Sequence, residues 1–289
     1  MSAGRAASIR KRLRNVARER GEDFNLTLNR YAVERYLYRL SRSPWADQYI
    51  LKGALLFDLW FNEPHRPTRD ADFLGFGPDD AATVQSIVTG ICAIDADDGI
   101  EFDPTSIKIE EIREDANYGG KRARFWGSLD GSLCTAQIDI GFGDAVTPDP
   151  TVAIFPTLLD DLPAPRLRTY PRESVMSEKL EAIVKLGMGN SRMKDFFDLR
   201  ALVREGRAER GVLVDAIRAT FDRRRTPVPD GIPLGLSDEF ADAPAKVAQW
   251  KGFLDRNRFQ APTLREVVIE IRTALAEPLR VACERSSQL

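Results

Sequence analysis

The stretch "DADFLGF", residues 70–76, constrains this chain more than any other. Asp70 and Asp72 stand two apart in a segment whose neighbours Phe73, Leu74 and Phe76 are apolar. That composition favours a β-strand over a turn in which the aspartates cap backbone N–H groups. In a strand, residues i and i+2 point to the same face, so the two carboxylates would repel each other there. A divalent metal cation is the group that best offsets such a repulsion.

A third acid stands in "AQIDIGFGD", residues 136–144. Strand alternation puts Gln137, Asp139 and Gly141 on one face and Ala136, Ile138 and Ile140 on the other. Asp139 is then a lone carboxylate among apolar neighbours, a costly placement unless it is paired or binds metal. Two acids on one strand and one on another is the arrangement a two-metal nucleotidyl transferase requires. There the cations bridge a triphosphate and stabilise the attacking and leaving oxygens, and Asp139 could help draw the proton from an acceptor hydroxyl.

Upstream, "YILKGALLFDLWF" (residues 49–61) reads as a short strand, a turn at Gly53 and a helix. A glycine after Lys52 lets a triphosphate approach the backbone, and a following helix would offer N–H groups and the positive end of its dipole. Glycine at such a turn also serves geometry alone.

The rest of the chain gives an organisation. Residues 8–41 read as two helices broken at "GEDFN", and "DDAATVQSIVTGICAI" as a helix led by Asp79 and Asp80. "SIKIEEIRE", "KRARFWGSLD" and "CTAQIDIGFG" read as strands, with Gly119-Gly120 as a hairpin turn between the first two. A Pro-rich passage over residues 147–174 separates this α+β front from a helical back, which holds five helical runs and a rigid "TPVPDGIPLG" loop. The expected division is 1–165 and 166–289.

Composition bounds the setting. With 289 residues, 43% apolar and 30% charged, the chain can bury a sizeable core. No apolar run reaches the roughly 20 residues needed to span a bilayer, and the N-terminus has no apolar signal core, so a cytoplasmic protein without membrane partners is expected. Cys92, Cys134 and Cys283 fit neither a disulfide framework nor a zinc site. The single histidine, His65, gives little support to histidine-based catalysis. Net charge is −2, yet residues 1–20 hold six arginines and one lysine against one glutamate, which suits either nucleic acid or a solvated amphipathic helix.

Taken in order, "LKGA", "RPTRDADF", "IDIGFGD", "EKLEAIVKLG" and "SRMKDFFDL" resemble the AbiEii/AbiGii-type nucleotidyltransferase toxins, a branch of the DNA polymerase β-like superfamily that includes the MenT toxins. The resemblance runs from residue 51 to 199 and weakens beyond about residue 225. It implies a polymerase β-like core, a mixed sheet with flanking helices, followed by a helical C-terminal region. It also implies Mg2+ or Mn2+ on Asp70, Asp72 and Asp139, an NTP as substrate and a cognate antitoxin as partner. The lysine and aspartate of the last two motifs map to Lys179 and Asp195, added to the three acids as catalytic residues. Lys179 follows Met176 and precedes Leu180 and Ile183 at helical spacing, so its ammonium needs an anionic partner unless it snorkels to the surface. Asp195 and Asp198 share a helical face, where they could equally pair with Arg192 and Lys194.

Relatives often carry serine or a second glycine where Ala54 stands. Nucleotide contacts would therefore rest on backbone N–H groups around Gly53 and Ala54, and on Lys52, Thr68 and Arg69. Toxins of this kind transfer NMP to RNA, typically the tRNA 3′ end. The basic and aromatic run Lys121, Arg122, Arg124, Phe125 and Trp126 suits such an acceptor, as do Arg166, Arg168, Arg192 and Arg223 to Arg225. Protein hydroxyls as acceptors, or a degenerate fold kept for binding, are the alternatives.

Overall fold

The computed structural model describes residues 3–61, 65, 66, 68, 70–114 and 118–286, in two compact units. The first comprises residues 3–143 and 151–169, the second residues 144–150 and 170–286.

The first unit opens with α1 (Ala3–Arg20) and α2 (Phe24–Arg42). The break between them falls where Asp23 caps α2, its carboxylate accepting from the N–H groups of Asn25 and Leu26. Next come β1 (Tyr49–Lys52), a single 3₁₀ turn (Gly53–Leu55), α3 (Leu56–Trp60), β2 (Asp70–Gly75) and α4 (Ala81–Cys92), the last capped by Asp80. The strands β3 (Ile100–Phe102), β4 (Lys108–Glu114), β5 (Tyr118–Leu129), β6 (Ser132–Phe142), β7 (Thr151–Ile154) and β8 (Arg166–Thr169) complete the unit.

Among the described residues the strands form one mixed sheet in the order β3-β5-β6-β2-β1-β8-β7, and β4 also pairs with β5. β2 lies between β1, antiparallel to it, and β6, parallel to it. Helices α1 and α2 pack their apolar faces on the sheet through Ile9, Leu13, Leu28 and Tyr31 against Leu129 and Cys134. This cluster covers the face opposite Asp139, which alternation assigns to Cys134, Ala136 and Ile138.

Two sequence expectations need correction, and a third, left open, gains detail. Gly119 and Gly120 are not a turn but lie inside β5, opposite Arg113 and Ile112. A Cβ on Gly120 would come within 3.0 Å of the Ile140 carbonyl oxygen, so glycine serves close backbone approach there. The Pro-rich passage is not a plain spacer, because its ends supply β7 and β8, a pair that extends the sheet beyond β1. The basic α1 engages three of its arginines in ion pairs near the surface, Arg5 with Asp97, Arg10 with Asp130 and Arg12 with Asp161.

The second unit is helical: α5 (Arg172–Leu186), α6 (Met193–Glu205), α7 (Arg210–Arg223), the short α8 (Asp238–Asp242), α9 (Pro244–Asn257) and α10 (Leu264–Ser286). Residues 144–150 belong to it through specific bonds. Arg224 pairs with Asp144 at 3.1 Å, and Ser174 Oγ donates to the Thr147 carbonyl while accepting from the Thr147 N–H, both at 2.9 Å. Among the described residues no helix is long and apolar enough to cross a membrane.

Candidate active site

The register of the sheet decides the site. Lys52 on β1 opposes Asp72 on β2, Asp72 opposes Asp139 on β6, and Asp139 opposes Arg122 on β5. One row across four strands therefore reads cation, acid, acid, cation, with neighbours a strand spacing of about 4.8 Å apart. Asp70 stands one pleat along β2, opposite Gln137. Carboxylate oxygens of Asp70, Asp72 and Asp139 all lie within 4.8 Å of one another. Three hard oxygen donors without sulfur or imidazole fit a divalent cation of the magnesium class better than zinc.

The side chains around the acids hold them in place. Thr68 Oγ1, expected to face phosphate, donates to Asp70 Oδ1 at 2.8 Å. Gln137 Nε2 donates to Asp139 Oδ1 at 3.2 Å and to Asp70 Oδ2 at 3.4 Å. Arg122 grips Asp139 in a fork: Nε donates to Oδ1 at 2.8 Å and Nη2 to Oδ2 at 2.6 Å. That bidentate bond, with the added field of Asp70, raises the Arg122 pKa above its ordinary value. Sequence reasoning missed this partnership, because nothing local says which β5 residue opposes Asp139.

Gly53 has a second reason to be glycine besides its turn. Its φ is +73°, and a Cβ there would sit 2.1 Å from Asp72 Oδ2. The missing side chain is the space Asp72 occupies. Gly53→Ala is expected to cost about 1–2 kcal/mol from the left-handed backbone alone and to displace Asp72, lowering kcat/KM roughly 100-fold. Steady-state transfer and a thermal melt check this; wild-type values in both would show that Asp72 does not need the space.

The turn after β1 differs from expectation in its helix. One 3₁₀ turn intervenes and α3 spans only five residues, so it lends little dipole to the site. Ala54 is buried and directs no polar side chain to a ligand. Lys52 leans along the row: its Nζ lies 3.9 Å from where a Cβ of Gly141 would be. Arg69 lies outside the described residues. His65 stacks on Phe57 with ring centroids 4.3 Å apart, an aromatic contact rather than a ligand position.

Lys179 and Asp195 belong to the second unit, where they form a cluster of their own. Lys179 Nζ, on α5, donates to Asp195 Oδ1 at 2.9 Å and to Asp198 Oδ2 at 2.8 Å, both on α6. Asp195 also ion-pairs with Arg192 at 2.7 Å. The Asp195 and Asp198 side chains are 1% and 0% exposed, so the paired charges are almost fully removed from water.

A family model described as "Nucleotidyl transferase AbiEii toxin, Type IV TA system" matches residues 35–277. The chain belongs to the AbiEii nucleotidyl transferase toxin family. The AbiEii match spans both units and includes every acid of the site. A crystal structure of JHP933 from Helicobacter pylori shares the fold at 16% identity, with a TM-score of 0.50 over 92% of this chain and 96% of that one. A second Helicobacter pylori structure, described as a candidate nucleotidyltransferase, aligns at 17% identity and a TM-score of 0.49, over 89% of this chain and 95% of that one. No curated protein matches significantly. The AbiEii protein is thus a nucleotidyltransferase toxin, and its family implies an NTP as substrate and an antitoxin as partner.

Proposed function

We propose that this toxin transfers NMP from an NTP to RNA, at the 3′ end of tRNA, with Mg2+ or Mn2+ held by Asp70, Asp72 and Asp139, and that it acts in the cytoplasm. The observation that carries the reading is the meeting of those three carboxylates within 4.8 Å on neighbouring strands. Divalent cations bound there would neutralise the triphosphate and stabilise the entering and leaving oxygens. In the reaction an acceptor hydroxyl attacks the α-phosphorus and gives its proton to Asp139 or to solvent, the bond from the α-phosphorus to the bridging oxygen breaks, and pyrophosphate leaves with that bond's electron pair.

The chain's own residues prepare that step. Thr68 and Gln137 fix Asp70, so the acids hold their geometry before substrate arrives. Arg122 balances the charge of Asp139 in the free enzyme. Lys52, on the same row, is the cation proposed for the phosphates, with the backbone N–H groups at Gly53 and Ala54, and with Thr68 and Arg69. By the family resemblance Lys179 and Asp195 are catalytic residues as well; a triphosphate is an anion that would suit the Lys179 ammonium, which donates to Asp195.

Incubation with each α-labelled NTP, Mg2+, and either total tRNA or cell protein tests the reading. Label at the 3′ end of tRNA that requires the divalent cation is the expected result. Label on protein alone would establish hydroxyl side chains as the acceptors, and label on neither would leave a binding module.

A further inference from the structure

The sheet face beside the acids carries exposed cations and an exposed tryptophan. Along β5, Arg122, Arg124 and Trp126 alternate onto the face that carries Asp139, because each opposes a residue of that face: Asp139, Gln137 and Thr135. Lys108 of β4, exposed, opposes Arg124 and adds a third cation. The other members of the run, Lys121 and Phe125, point the opposite way, and Phe125 is buried. The run is therefore not one basic patch but a ladder leading away from the acids.

Trp126 ends the ladder 40% exposed, with Leu133, 65% exposed, on the adjoining strand of the same face. An indole that open contributes little to the core, yet its backbone is pinned: Ser106 Oγ accepts from its N–H at 3.1 Å and its carbonyl accepts from the Asp103 N–H at 3.0 Å. The indole therefore projects from a fixed point of the sheet. Arg124 is half exposed and spends Nε on Gln137 and Nη1 on Glu110. Asp139, Glu110, Glu101 and Asp103 are acids that face the ladder: Glu101 opposes Ser128 on the same face, Asp103 takes a side-chain hydrogen bond from Trp126, and Glu110 pairs with Arg124 at the surface, where such a pair is readily exchanged for a phosphate. Trp126 stands about 13 Å along the strand from Arg122, four residues at ~3.3 Å each, which is the reach of a few nucleotides of single strand.

We infer that this ladder is the lane for the single-stranded 3′ end of the acceptor RNA. Its hydroxyl lies toward Asp139, its phosphates along Arg124 and Lys108, and a base a few positions back stacks on Trp126. A part-exposed indole, the exposed Lys108, the exchangeable surface pair of Arg124 and continuity with the three acids favour a nucleic-acid strand as occupant. The inference rests on the RNA-acceptor reading and adds to it where the strand runs.

The test uses the full chain and its Trp126→Ala, Trp126→Phe and Arg124→Gln variants. Binding is read by anisotropy of a 5′-fluorescein single-stranded RNA ending in a tRNA acceptor sequence, and transfer is read as separate KM and kcat for tRNA. Trp126→Ala is expected to raise both the RNA Kd and the KM roughly 5- to 100-fold, with the loss concentrated in KM, and Trp126→Phe to recover most of it. Arg124→Gln should lower the slope of log affinity against log salt by about one. Unchanged RNA affinity and KM in Trp126→Ala, in an enzyme that labels tRNA, overturns the lane and leaves the acceptor reading standing. A wild-type enzyme that labels cell protein and not tRNA overturns the acceptor reading, and the lane with it. NTP binding lost alongside RNA binding in Trp126→Ala would place the defect in the sheet and also overturn the lane.

Discussion

Asp72→Ala is expected to lower kcat/KM for nucleotidyl transfer by about three orders of magnitude while the protein melts no lower than wild type. Asp72 is the central acid of the row, opposed by Lys52 on one side and Asp139 on the other. Removing a carboxylate that helps hold a divalent cation forfeits several kcal/mol of transition-state stabilisation, and about 1.4 kcal/mol corresponds to a factor of ten. The free fold responds differently. Three carboxylates within 4.8 Å repel one another without a cation, so deleting one relieves that repulsion and offsets what is lost opposite Lys52. Transfer assays across a Mg2+ titration, paired with thermal melts with and without the cation, separate the two effects. Metal-dependent stabilisation should also shrink in the variant, since a cation raises stability only through the site it occupies. Full activity with unchanged metal dependence would remove Asp72 from the site.

Lys179→Met is expected to destabilise the helical unit by about 3–5 kcal/mol, the usual cost of removing one partner from a buried ion pair. The ammonium bridges two carboxylates that are 1% and 0% exposed, and the apolar replacement leaves Asp198 without it while Asp195 keeps only Arg192. The pH response carries a sign. Burial alone would push the Asp195 pKa up, but the Lys179 ammonium and the Arg192 guanidinium outweigh it and hold the group below the ordinary carboxylate value. A depressed folded pKa contributes stability that is present above the unfolded value of about 3.9 and lost as pH falls through the folded one. Wild type should therefore lose this contribution as pH falls below about 3.9, and the gap in melting temperature between it and Lys179→Met should narrow there. Melts of Lys179→Met and of the double variant Lys179→Met/Asp198→Asn check this. The double variant should recover much of the loss, and a Lys179→Met protein as stable as wild type at neutral pH would show that the pair contributes little.

Much of the fold was legible because local periodicity is local physics. The caps at Asp23 and Asp80, the helices of the second unit and the alternation of β6 follow from residues within one or two turns or pleats of each other. The misreadings have a common source. Gly119-Gly120 has turn chemistry, yet both pair with β4 inside a strand, and β6 approaches Gly120 closely. The prolines near β7 and β8 suggest a spacer, yet short strands at a sheet edge tolerate proline at their ends. By sequence alone the arginines of α1 suit either a nucleic-acid surface or a solvated helix, because the partners of three of them, Asp97, Asp130 and Asp161, come from far along the chain.

The amino-acid sequence by itself determined that Asp70 and Asp72 share a face, that Asp139 is an isolated acid on a second strand, and which family motifs the chain carries. Alternation with a period of two requires no partner, so it can be read from one segment alone. Only the tertiary structure decided that Asp139 falls opposite Asp72, that Arg122 closes on Asp139, and that Gly53 vacates the space Asp72 fills. Those are matters of register between distant segments. A slip of one residue would turn every one of these side chains to the other face, and the burial of the sheet against α1 and α2 is what forbids it.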